Sequence, residues 1–268
     1  MSEQTASRRP RVIVSSTASL DGRITFSRPE RLLTPEVGQR WQSHWPPDVA
    51  ELVAQRAANI EERHHPTVVM EGSGTFVPDT AGPVTGIPGQ HVAADLRRDW
   101  LPRPSAKWFA VVDGRGRVPW SGTGDGDVSL LVLGCARTPL PYLAWLRSLE
   151  VPYLLAGDRR VDLPVALGKI DRLLAAGCVV SEGGGGINGA LLRAGLVDEL
   201  QLIWFPAVIG GAGTPSSFDG DPLAAGQAPC PMVHCGTVIG RHGSIWSRYE
   251  AATSHDAATS PQAGADRD

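Results

Sequence analysis

Val179-Val-Ser-Glu-Gly-Gly-Gly-Gly-Ile-Asn188 is an apolar run that meets four consecutive glycines and then enters a helical stretch. β-Branched residues before the glycines and helix formers after them describe strand, tight turn and helix, the repeating unit of an α/β fold. Backbone N–H groups at a helix N-terminus, with no side chains in the way, form a cradle for phosphate. The same glycines equally describe a flexible turn.

The alternation continues on both sides of this stretch. Upstream lie an amphipathic helix from about Leu163 to Ala176 and the strand Cys178 to Ser181, preceded by apolar runs at Lys107 to Val112, Ser129 to Leu133 and Tyr153 to Leu155. Nearer the start, Arg11 to Ser16 is β-rich and Thr67 to Met70 is a short strand. Between them, Thr34-Pro-Glu opens a helix through His44, and Pro47-Asp48 caps another to about Arg63. Downstream, Ile187 to Ala194 is a helix ending at Gly195 and Glu199 to Phe205 is a strand. Met232 to Ile239 and Ser244 to Ala251 form an antiparallel hairpin across Gly240-Arg-His-Gly243. Strands alternating with helices and closing in a hairpin predict a three-layer α/β/α domain on a mixed sheet. It is expected over 11–252, after a flexible N-terminus at 1–10 and before a disordered tail at 253–268 that has nothing to bury.

Composition removes several functions. Lys plus Arg is 25 against 28 for Asp plus Glu, a net charge of −3, so no basic excess exists to neutralise a nucleic-acid backbone. Nowhere do eighteen apolar residues run together, and the polar opening lacks the apolar core of a signal peptide; neither membrane nor secretion is expected. Cys135, Cys178, Cys230 and Cys235 form no CxxC pair and no zinc spacing, and read as free thiols of a cytoplasmic protein with no metal. No GxSxG elbow supports a hydrolase.

A second glycine turn, Glu71-Gly-Ser-Gly-Thr75, also follows a strand, and a third, Thr17-Ala-Ser-Leu-Asp-Gly22, closes the first one. Two strand-end glycine turns suit a dinucleotide, whose pyrophosphate needs close backbone approach, although neither matches GxGxxG. The loop from Asp79 to Gln90 is rich in Pro and Gly, and loops of that length inside a domain are often functional. Trp41 and Trp45 share a helix face, either stacking on a flat heterocycle or packing in the core. His64-His65 has no partner at metal spacing and reads as a helix end.

Ser19-Leu-Asp-Gly-Arg-Ile24, Gly72-Ser-Gly-Thr75, Ser181-Glu-Gly-Gly184, Gly195-Leu-Val-Asp-Glu-Leu200 and Pro206-Ala-Val-Ile-Gly-Gly211, in that order, resemble the riboflavin-biosynthesis reductase domain family (RibD C-terminal-like). That family belongs to the dihydrofolate-reductase-like superfamily, and the resemblance spans Arg11 to Ala251. It implies NADPH-dependent reduction of a phosphoribosylamino-pyrimidine to its ribitylamino product, as in 5-amino-6-(5-phosphoribosylamino)uracil reduction, by a homodimer. Hydride would pass to the anomeric carbon of the opened sugar, as an imine.

Carried onto this chain, the resemblance has Gly72, Ser73, Gly74, Thr75 and the turn Gly183, Gly184 and Gly185 hold the cofactor. Glu182 faces the substrate as the catalytic carboxylate, with Asp21 and Ser19 at the same mouth and Asp79 as a substrate contact. A carboxylate at a strand end suits proton transfer or polar anchoring; its bland alternative is to bond loop N–H groups. Arg115 or Arg117, just past a strand, would fork onto a 2′-phosphate and so choose NADPH over NADH, or else be solvated in a turn. Arg28 would meet a substrate phosphate. The stretch after Ile24 and the Val77-Pro-Asp-Thr-Ala81 sequence depart from the family pattern, and no deaminase zinc signature is present. Two alternatives stay open: a reductase recruited to another C=N or C=C bond, and a nucleotide-binding protein without catalysis.

Overall fold

The computed structural model describes residues 9–87 and 95–252. Residues 1–8 of the expected flexible N-terminus, the expected disordered tail 253–268 and the end of the Pro/Gly-rich loop lie outside the described residues.

The chain runs β1 (Arg11–Ser19), α1 (Pro35–Ser43), α2 (Pro47–His64), β2 (Val68–Gly72) and a 3₁₀ turn (Ser73–Thr75). Then follow β3 (Lys107–Val112), β4 (Gly124–Asp125), β5 (Val128–Gly134), α3 (Leu140–Ser148), β6 (Tyr153–Leu155) and α4 (Leu163–Leu174). The last elements are β7 (Cys178–Ser181), α5 (Gly185–Arg193), β8 (Glu199–Phe205), β9 (Met232–Ile239) and β10 (Ile245–Ala251). The sheet order is β4-β5-β3-β2-β7-β1-β8-β10-β9, with β6 also on β5. Strands β1, β2, β3, β5, β6, β7 and β8 are mutually parallel, while β4, β9 and β10 are antiparallel to their neighbours.

Helices cover both faces, and this explains why the central strands are apolar runs rather than alternating ones. Val12 and Val14 of β1 pack with Leu167 and Ile170 of α4 and Leu191 of α5. Ile13, between them, points the other way, onto Ile60 of α2. On β5 the division repeats, Leu131 and Leu133 joining the α4/α5 side and Leu130 and Val132 joining Leu143 and Leu146 of α3. The expected three-layer α/β/α mixed sheet with a closing hairpin is therefore what the chain builds.

Four elements differ from the expectation, one of them the short β4, which was not expected and pairs with the start of β5. β1 continues to Ser19 because Ser16, Thr17, Ala18 and Ser19 find partners in β8, from Leu202 to Phe205. α5 begins at Gly185, inside the glycine run. α3 was not expected: Leu140-Pro-Tyr-Leu-Ala-Trp-Leu-Arg-Ser148 has prolines at its start and little polar face, and Tyr142, Leu143, Ala144 and Leu146 are all buried.

Candidate active site

The parallel strands end on one side of the sheet, the position where open α/β sheets take their ligands. There a cleft of about 1310 Å³ runs across the ends of β1, β2, β3 and β7. Its volume exceeds the ~300–1,000 Å³ of ordinary small-ligand pockets and suits a dinucleotide together with a second molecule.

The glycine turn after β7 forms the middle of the cleft. Gly184 is the N-cap of α5 and no side chain caps the helix. Among the described residues, no hydrogen bond engages the N–H groups of Gly185, Gly186 or Ile187. A Cβ on Gly186 would meet nothing within 4 Å, so this terminus is bare toward the cleft. The inward-facing glycines serve packing instead: a Cβ on Gly185 would collide with the Ser216 carbonyl oxygen, and one on Gly189 with that of Asp219. Asn188, fully buried, fixes the turn by donating to the carbonyls of Gly183 and Ser217, both at 3.0 Å, and accepting from Ser181 Oγ at 2.7 Å.

Glu182 projects from the end of β7 into the cleft. Its side chain is exposed, and among the described residues it makes no hydrogen bond, so it does not spend its carboxylate on loop N–H groups. Facing it from α2 is Arg56, buried, with Nη1 donating to the Ser16 carbonyl at 2.6 Å. Burial pulls the Arg56 guanidinium down to about 10, and the Glu182 charge works against that fall.

The second glycine turn also lines the cleft, through Gly72, Ser73, Gly74 and Thr75. Ser73 is buried and accepts a 2.6 Å hydrogen bond from Arg117 Nη2, while Arg117 Nη1 donates to the Pro78 carbonyl at 2.9 Å. Arg117 thus ties two loops together, with its guanidinium already engaged. Asp113, at the end of β3, accepts from the Arg117 and Val118 N–H groups and from the Tyr142 hydroxyl, a scaffold that projects Arg115 outward. Arg115 is exposed and lines the cleft together with Arg159 and Arg160, which follow β6. Among the described residues none of these three arginines makes an ion pair or hydrogen bond. Arg159 and Arg160 escaped notice in the sequence; the signal was Asp158-Arg-Arg160 placed, like Arg115, just past a strand.

At the other end, Arg28 lines the cleft and bridges Asp79 at 3.1 Å and Asp219 at 3.7 Å. Ser19 and Asp21 are not brought to the cleft. Ser19 Oγ donates to Asp21 at 2.6 Å, and the Asp21 carboxylate also accepts from the N–H groups of Ile209 at 3.1 Å and Gly210 at 2.7 Å. Those bonds, the Ser19 hydroxyl foremost, hold Asp21 well below the usual carboxylate range. The pair clamps the loop after β8 to the turn after β1, a consequence of these two strands being neighbours. Trp41 is core, edge-on to Phe26 and Phe205. Trp45 is half-buried at the cleft wall, its indole N–H without a partner among the described residues. His64 lies beside Glu199 at 3.0 Å, at the far end of α2.

Residues 10–241 match the RibD C-terminal domain family, and the chain belongs to it. Among curated relatives, the chain is 28% identical over 216 residues to the 2,5-diamino-6-ribosylamino-4(3H)-pyrimidinone 5′-phosphate reductase of Archaeoglobus fulgidus, covering 80% of this chain and 88% of the relative. It is 33% identical over 116 residues to the like-named protein of Methanothermobacter thermautotrophicus, covering 42% of this chain. The chain spans 52% of the length of that protein and 42% of its Aquifex aeolicus counterpart. A solved pyrimidine reductase-like protein from Corynebacterium diphtheriae superposes with a TM-score of 0.60 at 17% identity, covering 94% of this chain and 96% of that one. Acinetobacter baumannii RibD gives a TM-score of 0.56 at 18% identity, covering 91% and 58%. Both structures share the fold.

Proposed function

We propose that this chain is an NADPH-dependent reductase of a ribosylamino-pyrimidine 5′-phosphate, yielding the ribitylamino product. The observation that carries this is the uncapped N-terminus of α5 opening beside Glu182 in one cleft, with uncommitted arginines further along it. The donor set fits a dinucleotide: free N–H groups for the pyrophosphate, and Arg115, Arg159 and Arg160 for a 2′-phosphate.

Bound there, NADPH would supply the hydride, and the protein's part is to orient, exclude water and anchor. The turns Gly72 to Thr75 and Gly183 to Gly185 would hold the cofactor's phosphates and ribose. Glu182 would accept N–H bonds from the pyrimidine or hold the proton that accompanies reduction, and Arg56 keeps a positive charge behind it. Arg28 would meet the substrate phosphate, at the cost of its pairing with Asp79. Of the two arginines expected to read the 2′-phosphate, Arg115 is the available one, since Arg117 is engaged with Ser73 and Pro78. No catalytic part is proposed for Asp21.

The activity for which the relatives are named favours the 2,5-diamino pyrimidinone over the uracil as substrate. A homodimer goes with this function, supported by the exposed Val233, Val238 and Ile239 on the edge strand β9, and a cytoplasmic setting is supported by the four free thiols. The test is incubation with NADPH and each ribosylamino-pyrimidine phosphate in turn, following NADPH oxidation and the mass of the product. A product two hydrogens heavier than the diamino substrate is expected. NADPH oxidation by neither substrate refutes the proposal.

A further inference from the structure

Glu71 is a half-buried glutamate outside the lining of the cleft. It stands on β2 where Met70 pairs with Ser181 of β7, and the Glu182 N–H donates to the Met70 carbonyl at 3.2 Å, continuing the ladder by one step. Glu71 and Glu182 are therefore the next pair in register, on strands about 4.8 Å apart. They also share a face. Met70 packs on the α5 side and Ser181 bonds Asn188 of α5, so the following residues, Glu71 and Glu182, both turn toward α2.

Their surroundings differ. Glu182 opens into the cleft, whereas Glu71 has one oxygen, Oε2, buried without a hydrogen-bond partner among the described residues. An ionised carboxylate with an orphaned buried oxygen is costly, and a protonated one much less so. The groups acting on Glu71 are Thr75, whose hydroxyl bonds it from the adjacent turn, and the Glu182 charge from β7. From α2, Arg56 acts on Glu182.

We propose that Glu71 is a positioning residue for Glu182: it stands beside Glu182 as the neutral acid, so that it adds no second negative charge where Glu182 faces the substrate. This rests on the reading of Glu182 as the substrate-facing group. Burial, opposed by the Thr75 hydrogen bond and aided by the Glu182 charge, pushes Glu71 up to about 7. Above neutrality a second negative charge develops beside Glu182, repels it and opposes anionic ligands in the cleft.

The experiment has two readouts. Carboxyl-carbon NMR of ¹³C-glutamate-labelled protein should show one glutamate titrating near pH 7, absent from Glu71→Gln and shifted upward in Thr75→Val, which removes the bond that favours ionisation. The kcat/KM of the wild type should fall above pH 7 by up to tenfold per pH unit. Glu71→Gln, neutral at every pH, should hold its acid-side value within about twofold and lose that limb. Wild-type protein with no glutamate titrating above pH 6, or a limb that persists unchanged in Glu71→Gln, overturns the proposal. If instead Glu182→Gln leaves turnover intact, it is the role of Glu182 that fails.

Discussion

Replacing Asn188 by Ala removes three hydrogen bonds at once, and the structure says what each loss leaves behind. Asn188 and Ser181 are fully buried, so water cannot take over at Ser181 Oγ without opening the turn. A lost intramolecular hydrogen bond costs about 1 kcal/mol net, and a buried group left unsatisfied ~1–3 kcal/mol. Three bonds therefore set a floor near ~3 kcal/mol, and the upper limit, if all three stranded partners stay dry, is roughly 6–9 kcal/mol. Partial opening of the turn lets water reach the stranded groups, so the lower part of that range is expected. At ~2–4 °C per kcal/mol for a chain of this size, the melting temperature should drop by about 6–12 °C. Urea unfolding gives the sharper reading: the midpoint falls while the slope stays constant, since the surface exposed on unfolding does not change. NADPH affinity should fall as well, because Gly183 and the start of α5 lose their anchor. A cost below ~1 kcal/mol would refute the reasoning, showing that the turn is held by its backbone alone.

Other consequences can be tested more briefly. Alanine at Arg115, Arg159 and Arg160 together should weaken NADPH binding by at least tenfold and leave NADH binding unchanged, as measured by fluorescence titration; equal loss for both cofactors would remove the 2′-phosphate assignment. Asp21→Asn should lower thermal stability, by loosening the loop at Ile209 and Gly210, while NADPH affinity holds; the opposite pattern would return Asp21 to the catalytic site. Glu199 is nearly fully buried, and although burial works against its charge, hydrogen bonds from Gln201 and Arg11 and the charges of Arg63 and His64 hold its carboxyl below the ordinary value. A carboxylate lowered in the folded state stabilises above its unfolded value of about 4.5, and that stabilisation disappears as the pH falls through the folded value. Glu199→Gln should thus be less stable than the wild type at pH 7 and approach it in acid, by urea midpoint at each pH; a constant difference would contradict the sign.

Much of this molecule was legible because its sheet is covered on both faces. Val179 and Val180 of β7 and Trp108 to Val112 of β3 are continuous apolar runs, and the limits of β3, β7 and β8 were read where the structure has them. What escaped has a physical cause in each case. α3 hides its periodicity because nearly every side is apolar, and the start of α5 hides because glycine has poor helix propensity. Thr17 to Ser19 read as a turn, and only pairing with β8 makes them strand. In the site, Glu182 and the glycine turns were visible as strand-end features. The employment of Asp21 and Arg117 was not, since their partners Ile209 and Ser73 are brought to them only by the sheet order. Glu71 looked like part of a glycine turn; its significance depends on the register of β2 with β7, a long-range fact.

The claim on which the rest depends is that the cleft takes NADPH. Titration of the protein with NADPH and with NADH, following tryptophan quenching and energy transfer to the nicotinamide, tests it directly, because Trp45 stands at the cleft wall. Micromolar binding of NADPH, tighter than NADH and weakened in Asn188→Ala, is the predicted result. Saturation by neither nucleotide would contradict the account and leave the uncapped helix α5 and its arginines without a ligand.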